Sequence, residues 1–187
     1  MKKITLIIMI MGALIIANAQ MEKNELKLTP QITKMLVDTV SSKFINKSDK
    51  QLSGFGITNR SQLTNFQFGK SIPMYRIENE NLKFIDKWRV LVMSDDEPLF
   101  LADVKLEGDG QYIWAGSGGA MMAEGIHNYE HKDLIIGCLG VRSPSGMDYL
   151  IIRKENTDIF VQTYDYAARE FFKHEYSFSE IMNLIKQ

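Results

Sequence analysis

Cys138 is the only cysteine among the 187 residues, so no disulfide can form within the chain and its stability must come from a packed core. Charge of one sign is also lacking, since 22 basic residues stand against 23 acidic ones. A chain so balanced does not carry the basic stripe that nucleic-acid recognition needs. The longest apolar stretch, residues 4–16, falls short of the ~20 residues that cross about 30 Å of hydrocarbon. There is no internal repeat. With 45% hydrophobic and 24% charged residues the chain is too apolar for intrinsic disorder.

What is present begins with an export pattern. Lys2 and Lys3 precede the apolar stretch, and Ala17-Asn18-Ala19 follows it, which are the charged, hydrophobic and small-residue regions of a secretory signal peptide. The pattern predicts cleavage after Ala19, leaving residues 20–187 as one exported domain in the periplasm or outside the cell. Losing two lysines leaves 20 basic against 23 acidic residues, a net charge of −3. No thiol stands at the new N-terminus to carry a lipid, and no stable membrane insertion is expected after cleavage. About 168 residues suffice for a core, because a domain near this size buries roughly 70% of its unfolded surface.

Along the mature chain, Thr29 and Pro30 open a helix predicted to run to about Ile45, with Ile32, Leu36, Val37, Val40 and Phe44 on one face. Residues 46–65 lack periodicity and read as a surface connection. Strand patterns follow at 72–77, 88–93, 99–106 and 111–114, separated by hairpin-length turns. Pro73 cannot donate to a ladder, which predicts that its strand lies on a sheet edge or starts there. A helix is predicted over 120–131, then strands at 134–141, 149–153 and 159–164. Ser177-Phe178-Ser179-Glu180 is a capping-box pattern that opens a last helix. Short turns force consecutive strands to be antiparallel. The expectation is an α+β domain of about seven antiparallel strands in one sheet or two, with an N-terminal, a central and a C-terminal helix packed on it.

Three stretches bear on chemistry. His127-Asn128-Tyr129-Glu130-His131 has the H-x-x-E-H form, in which histidines four apart on a helix share a face and can hold Zn²⁺ beside a glutamate base. The motif resembles that of the insulin-degrading peptidase family, which would make His127 and His131 ligands and Glu130 the base. That family also supplies a glutamate from a downstream helix, and Glu155, Glu170 and Glu175 stand in no such context here. Ala115-Gly116-Ser117-Gly118-Gly119 is a variant of the serine nucleophile elbow, with Asp165 and His174 downstream in the order acid, histidine. The elbow belongs to parallel sheets with helical crossovers, which the short connections of this chain do not provide. Read more simply, Gly116, Ser117, Gly118 and Gly119 form a glycine turn at a helix N-terminus beside Trp114, either a tight turn or an anion-friendly nest of amides.

Cys138 lies in an apolar strand with no local positive charge and is expected to be a buried, inert thiol. The eight methionines of the mature chain are scattered filler. The segment Gly69-Lys70-Ser71-Ile72-Pro73-Met74-Tyr75, followed by Trp88-Arg89-Val90-Leu91-Val92, resembles exported bacterial α+β proteins of uncharacterised function over about Phe68 to Val104. That resemblance implies export and a small inhibitory or binding module, and carries over no catalytic residue. Alternation puts Trp88 and Arg89 on opposite faces, with Arg89 beside Tyr75 or Arg76 on a binding face.

The expectation for function is an exported, non-enzymatic binding or interaction module without a cofactor. Its partner would be a protein, a peptide or an envelope component, and its candidate contacts Trp114, Gly116, Ser117, Gly118, Gly119 and Arg89. The alternatives are a small metal-dependent hydrolase built on His127, Glu130 and His131, and a protease-inhibitor-like module.

Overall fold

The computed structural model describes residues 24–140, 148–155, 157–165, 170–171 and 174–185. The export segment and the Ser143-Pro144-Ser145-Gly146 turn lie outside the described residues.

Helix α1 (Pro30–Phe44) starts as its sequence predicts: the Thr29 side chain accepts from the Ile32 N–H, and proline takes the first helical position. Ile32, Leu36, Val40 and Phe44 are its buried face. The stretch expected to be an irregular connection contains a short helix α2 (Asp49–Ser53) and a 3₁₀ turn (Arg60–Thr64). Each opens with a reciprocal capping box, Ser48 with Gln51 and Asn59 with Gln62. Leu52 and Ile57 from this stretch are buried in the core.

Four strands then form a meander: β1 (Gln67–Glu78), β2 (Asn81–Ser94), β3 (Glu97–Leu106) and β4 (Tyr112–Gly118). Helix α3 (Ala120–Asn128) leads to a second series, β5 (Ile135–Gly140), β6 (Asp148–Lys154) and β7 (Thr157–Gln162). A small two-stranded sheet, β8 (Tyr164–Asp165) with β9 (Glu170–Phe171), precedes β10 (Glu175–Tyr176) and helix α4 (Phe178–Ile185).

The main sheet has eight strands in the order β10-β7-β6-β5-β1-β2-β3-β4. It is antiparallel except at its centre, where β1 runs parallel to β5 through Met74↔Cys138 and Tyr75↔Leu139. The expectation of an α+β domain therefore holds, with one more strand in the sheet and a parallel pair that short turns alone could not announce.

Two further corrections concern boundaries. Pro73 is not on an edge, because β1 lies between β2 and β5. It is tolerated there because the register of β1 against β2 slips between Pro73 and Tyr75, and β5 begins to pair only at Met74. Gly116 and Gly118 do not form a turn but continue β4, paired with Asp103 and Leu101 of β3. At Gly118 a Cβ would come within 3.3 Å of the Leu101 Cβ, so the close cross-strand packing accounts for glycine there.

Alternating residues send the core to both faces. On one face α1 covers Trp88, Val90, Val92, Phe100, Ala102 and Val104, and α4 covers Tyr75, Leu139, Ile151 and Phe160 through Ile181. On the other, α3 sets Ala123 and Ile126 against Leu91 and Leu101, in a core that continues to Cys138, Leu150 and Val161. No described helix is long and apolar enough to cross a membrane.

Candidate functional site

A groove of about 390 Å³ opens where the end of α1 meets the sheet edge, lined by Lys43, Phe44, Lys47, Phe55, Trp114, Ala115, Gly116 and Ser117. Three separate segments build it. Lys43 is in the last turn of α1, where a cation complements the negative end of the helix dipole, and Lys47 follows just beyond. The chain between them and α2 is fixed by Arg60, whose guanidinium donates to the Ile45 carbonyl (3.3 Å), the Lys47 carbonyl (2.7 Å) and the Asp49 carboxylate (3.1 Å). The arginine thus satisfies carbonyl oxygens that a helix end leaves without partners.

Phe55 reaches the groove from the turn after α2. Gly56 makes that turn possible: its φ is +70°, and a Cβ there would sit 2.8 Å from the Leu99 carbonyl oxygen of β3. Phe44 and Phe55 meet edge to face at 4.9 Å between centroids, Phe44 lies 5.0 Å from Phe100, and Phe100 stands 6.4 Å from Trp114. The aromatic wall is therefore anchored on the fully buried Phe100. The Lys47 ammonium lies 6.0 Å from the centroids of both Phe44 and Phe55, at the outer limit of a cation–π contact.

Ala115 is where the β3–β4 register breaks, since Val104 pairs with Trp114 but Asp103 pairs with Gly116. This bulge turns Ser117 to the same face as Trp114, toward α1. No carboxylate lines the groove, and no ion pair among the described residues engages Lys43 or Lys47. Several other lysines are matched, Lys34 with Asp38, Lys83 with Glu78, Lys105 with Glu107 and Lys154 with Glu175, so what sets Lys43 and Lys47 apart is their place beside the aromatic wall.

Of the residues singled out from sequence, Trp114, Gly116 and Ser117 line this groove, while Gly118 and Gly119 lie outside its lining. Arg89 is on the opposite face, in the core under α3. Its side chain is 13% exposed and bonds Asp103 at 3.2 Å and Asp148, with Lys87 on the other oxygen of Asp103 at 2.6 Å. Burial works to lower the Arg89 pKa, but Cys138, Asp148 and Asp103 together outweigh it and hold the guanidinium charged. Tyr75 does not join Arg89, because it is buried on the α4 face, and Arg76 is exposed and paired with Glu78. Cys138 is buried as expected, yet a positive charge does adjoin it: the Arg89 Nη1 is 3.5 Å from its Sγ. Burial nonetheless pushes the thiol up to about 12, with Asp148 and Asp103 adding to the rise that Arg89 opposes. The thiol is inert for reasons that include two carboxylates as well as an apolar strand.

The two catalytic motifs do not assemble. Helix α3 ends at Asn128, and Tyr129 takes an extended conformation that buries its ring in the core, so His127 and His131 do not share a helix face. His131 instead contacts the exposed Glu130 at 3.2 Å. Among the described residues no three histidine, cysteine or acidic side chains gather as a metal site. Ser117 is on β4 and His174 adjoins β10, at opposite edges of the eight-stranded sheet.

In the sequence pattern Phe44 is a core residue of α1, and no motif marks Lys43, Lys47 or Phe55. The Ser48-x-x-Gln51 capping pair was the available signal that the region after α1 is structured. Compared with protein-family models, with curated proteins and with solved structures, the chain finds no match.

Proposed function

We propose that this chain is an exported binding module whose ligand seat is the groove between the end of α1 and β4. The observation that carries the reading is a pair of lysines, without carboxylate partners among the described residues, beside a wall of aromatic rings. In a protein of net charge −3 after export, a local positive site facing apolar surface selects ligands that combine negative charge with an apolar group. Export is supported by Lys2-Lys3, the apolar stretch and Ala17-Asn18-Ala19. The ligand would come from what an exported protein meets: another protein, a peptide or an envelope component.

The full chain, expressed with its N-terminal segment and purified as the cell leaves it, tests both parts. Its intact mass is expected to place the N-terminus at Gln20. Trp114 lines the groove while Trp88 is buried, so a change in tryptophan fluorescence reports occupancy. Titration with poly-glutamate, polygalacturonate and vesicles of anionic lipid is expected to give binding by at least one anion, lost in the Lys43→Gln/Lys47→Gln variant. Equal binding by that variant, or no binding to any of the three, overturns the reading.

A further inference from the structure

We propose that the groove takes an extended, acid-bearing polypeptide segment, which adds to the sheet as a further strand beside β4. This rests on the binding reading above and names its ligand class.

The edge itself is the first reason. β4 is the last strand of the sheet, so one side of its backbone has no neighbour in the ladder. Proteins blunt such edges with charged side chains, proline or very short strands, because a free edge templates further pairing. The other edge follows that rule: β10 is two residues long, and its Glu175 is tied to Lys154 at 2.7 Å. β4 is seven residues long, Tyr-Ile-Trp-Ala-Gly-Ser-Gly, with neither a charge nor a proline. Its only blunting device is the bulge at Ala115, which divides the edge and confines new pairing next to the groove to Ala115–Gly118.

Side-chain size is the second reason. Ala115, Gly116, Ser117 and Gly118 are all small, which leaves room on the faces of β4 for the side chains of a strand paired beside it at ~4.8 Å.

Charge is the third. Side chains on one side of an added strand recur every second residue, ~6.6–6.8 Å apart. Acids at two alternate positions therefore project together, toward Lys43 and Lys47, while an apolar residue at the next alternate position, on the same face, meets Phe55 and Trp114. An anionic polysaccharide could satisfy the lysines and the rings but would leave the β4 amides unpaired. A peptide backbone satisfies all three sets of groups, which is the strand-addition mode of recognition.

The test uses five probes on the full chain: a capped decapeptide with glutamate, glutamate and valine at successive alternate positions and threonine between them, the same peptide N-methylated at its even amides, the same peptide N-methylated at its odd amides, the analogue with lysine for glutamate, and polygalacturonate. The glutamate peptide is expected to bind and to slow amide exchange at least tenfold at one of Gly116 and Ser117, the one whose N–H faces away from β3. One of the two methylated peptides should lose at least tenfold in affinity, as should the parent peptide on Lys43→Gln/Lys47→Gln, and the lysine peptide should not bind. If both methylated peptides bind like the parent, or β4 exchange is unchanged, strand addition is overturned while groove binding stands. If polygalacturonate binds and the glutamate peptide does not, the ligand class is overturned and the binding reading survives. If nothing binds, both fall.

Discussion

Arg89 and the pair Lys43 and Lys47 all place positive charge against apolar surroundings, and they do so in opposite ways. Arg89 is enclosed on the α3 face and answered by Asp103 and Asp148, so its charge is spent inside the molecule. The two lysines stand in an open groove that no carboxylate lines, with no ion-pair partner among the described residues. A buried cation that has its partners is a structural part; a cation held over rings without partners is available to something else. An arginine in an apolar strand is thus weaker evidence of a binding face than a lysine pair at a helix end.

The comparison breaks most visibly at Arg89. Arg89→Met leaves Asp148 without its guanidinium partner while Asp103 keeps Lys87, and the expected loss is about 3 kcal/mol in urea unfolding, with groove binding unchanged in whatever remains folded. A loss below about 1 kcal/mol would show the network to be dispensable.

Cys138 sharpens the same contrast through pH. Its folded pKa is pushed up to about 12 from an ordinary 9.0, so above pH 9 the unfolded chain gives up a proton that the native chain keeps. Stability is then fully present below that pH and falls as pH rises, by up to about 1.4 kcal/mol per unit. Urea unfolding at pH 8, 9 and 10 is expected to show the fall, and Cys138→Ala to reduce it, most clearly between pH 8 and 9, since Tyr75, Tyr129 and Tyr149, also raised by burial, add to the fall toward pH 10. A flat wild-type profile would contradict the buried-thiol account.

The smallest effect on stability belongs to the groove. Lys43→Gln/Lys47→Gln is expected to unfold within about 0.5 kcal/mol of the parent while losing the anionic probes. Destabilisation comparable to that of Arg89→Met would mean that the lysines hold the fold rather than a ligand.

Much of the fold was legible because its signals are local. The Thr29-Pro30 start, the alternation in β2 and β3 and the Ser177 to Glu180 box each depend on neighbours in sequence. What misled was context from afar. Pro73 sits centrally because a register slip absorbs its missing donor, and nothing near it in sequence encodes that slip. The glycines after Trp114 have the composition of a turn, but pairing with β3 holds them extended. His127 and His131 have helical spacing, but burial of Tyr129 ends the helix between them. Trp114, Gly116 and Ser117 were legible as candidates; their partners Lys43, Lys47 and Phe55 come from two other segments, which only the folded sheet brings together.

The parallel seam between β1 and β5 bears on how the chain folds. Within each half the pairings join strands that follow one another closely, β1 to β4 on one side and β5 to β7 on the other. The seam joins residues 64 positions apart, Met74 with Cys138, and carries two paired positions. Local pairings form first and distant ones await loop closure, so the halves should zip early and the seam should set the rate. The salt bridge from Arg89 on β2 to Asp148 on β6 spans that seam, so it can form only once the two halves are joined.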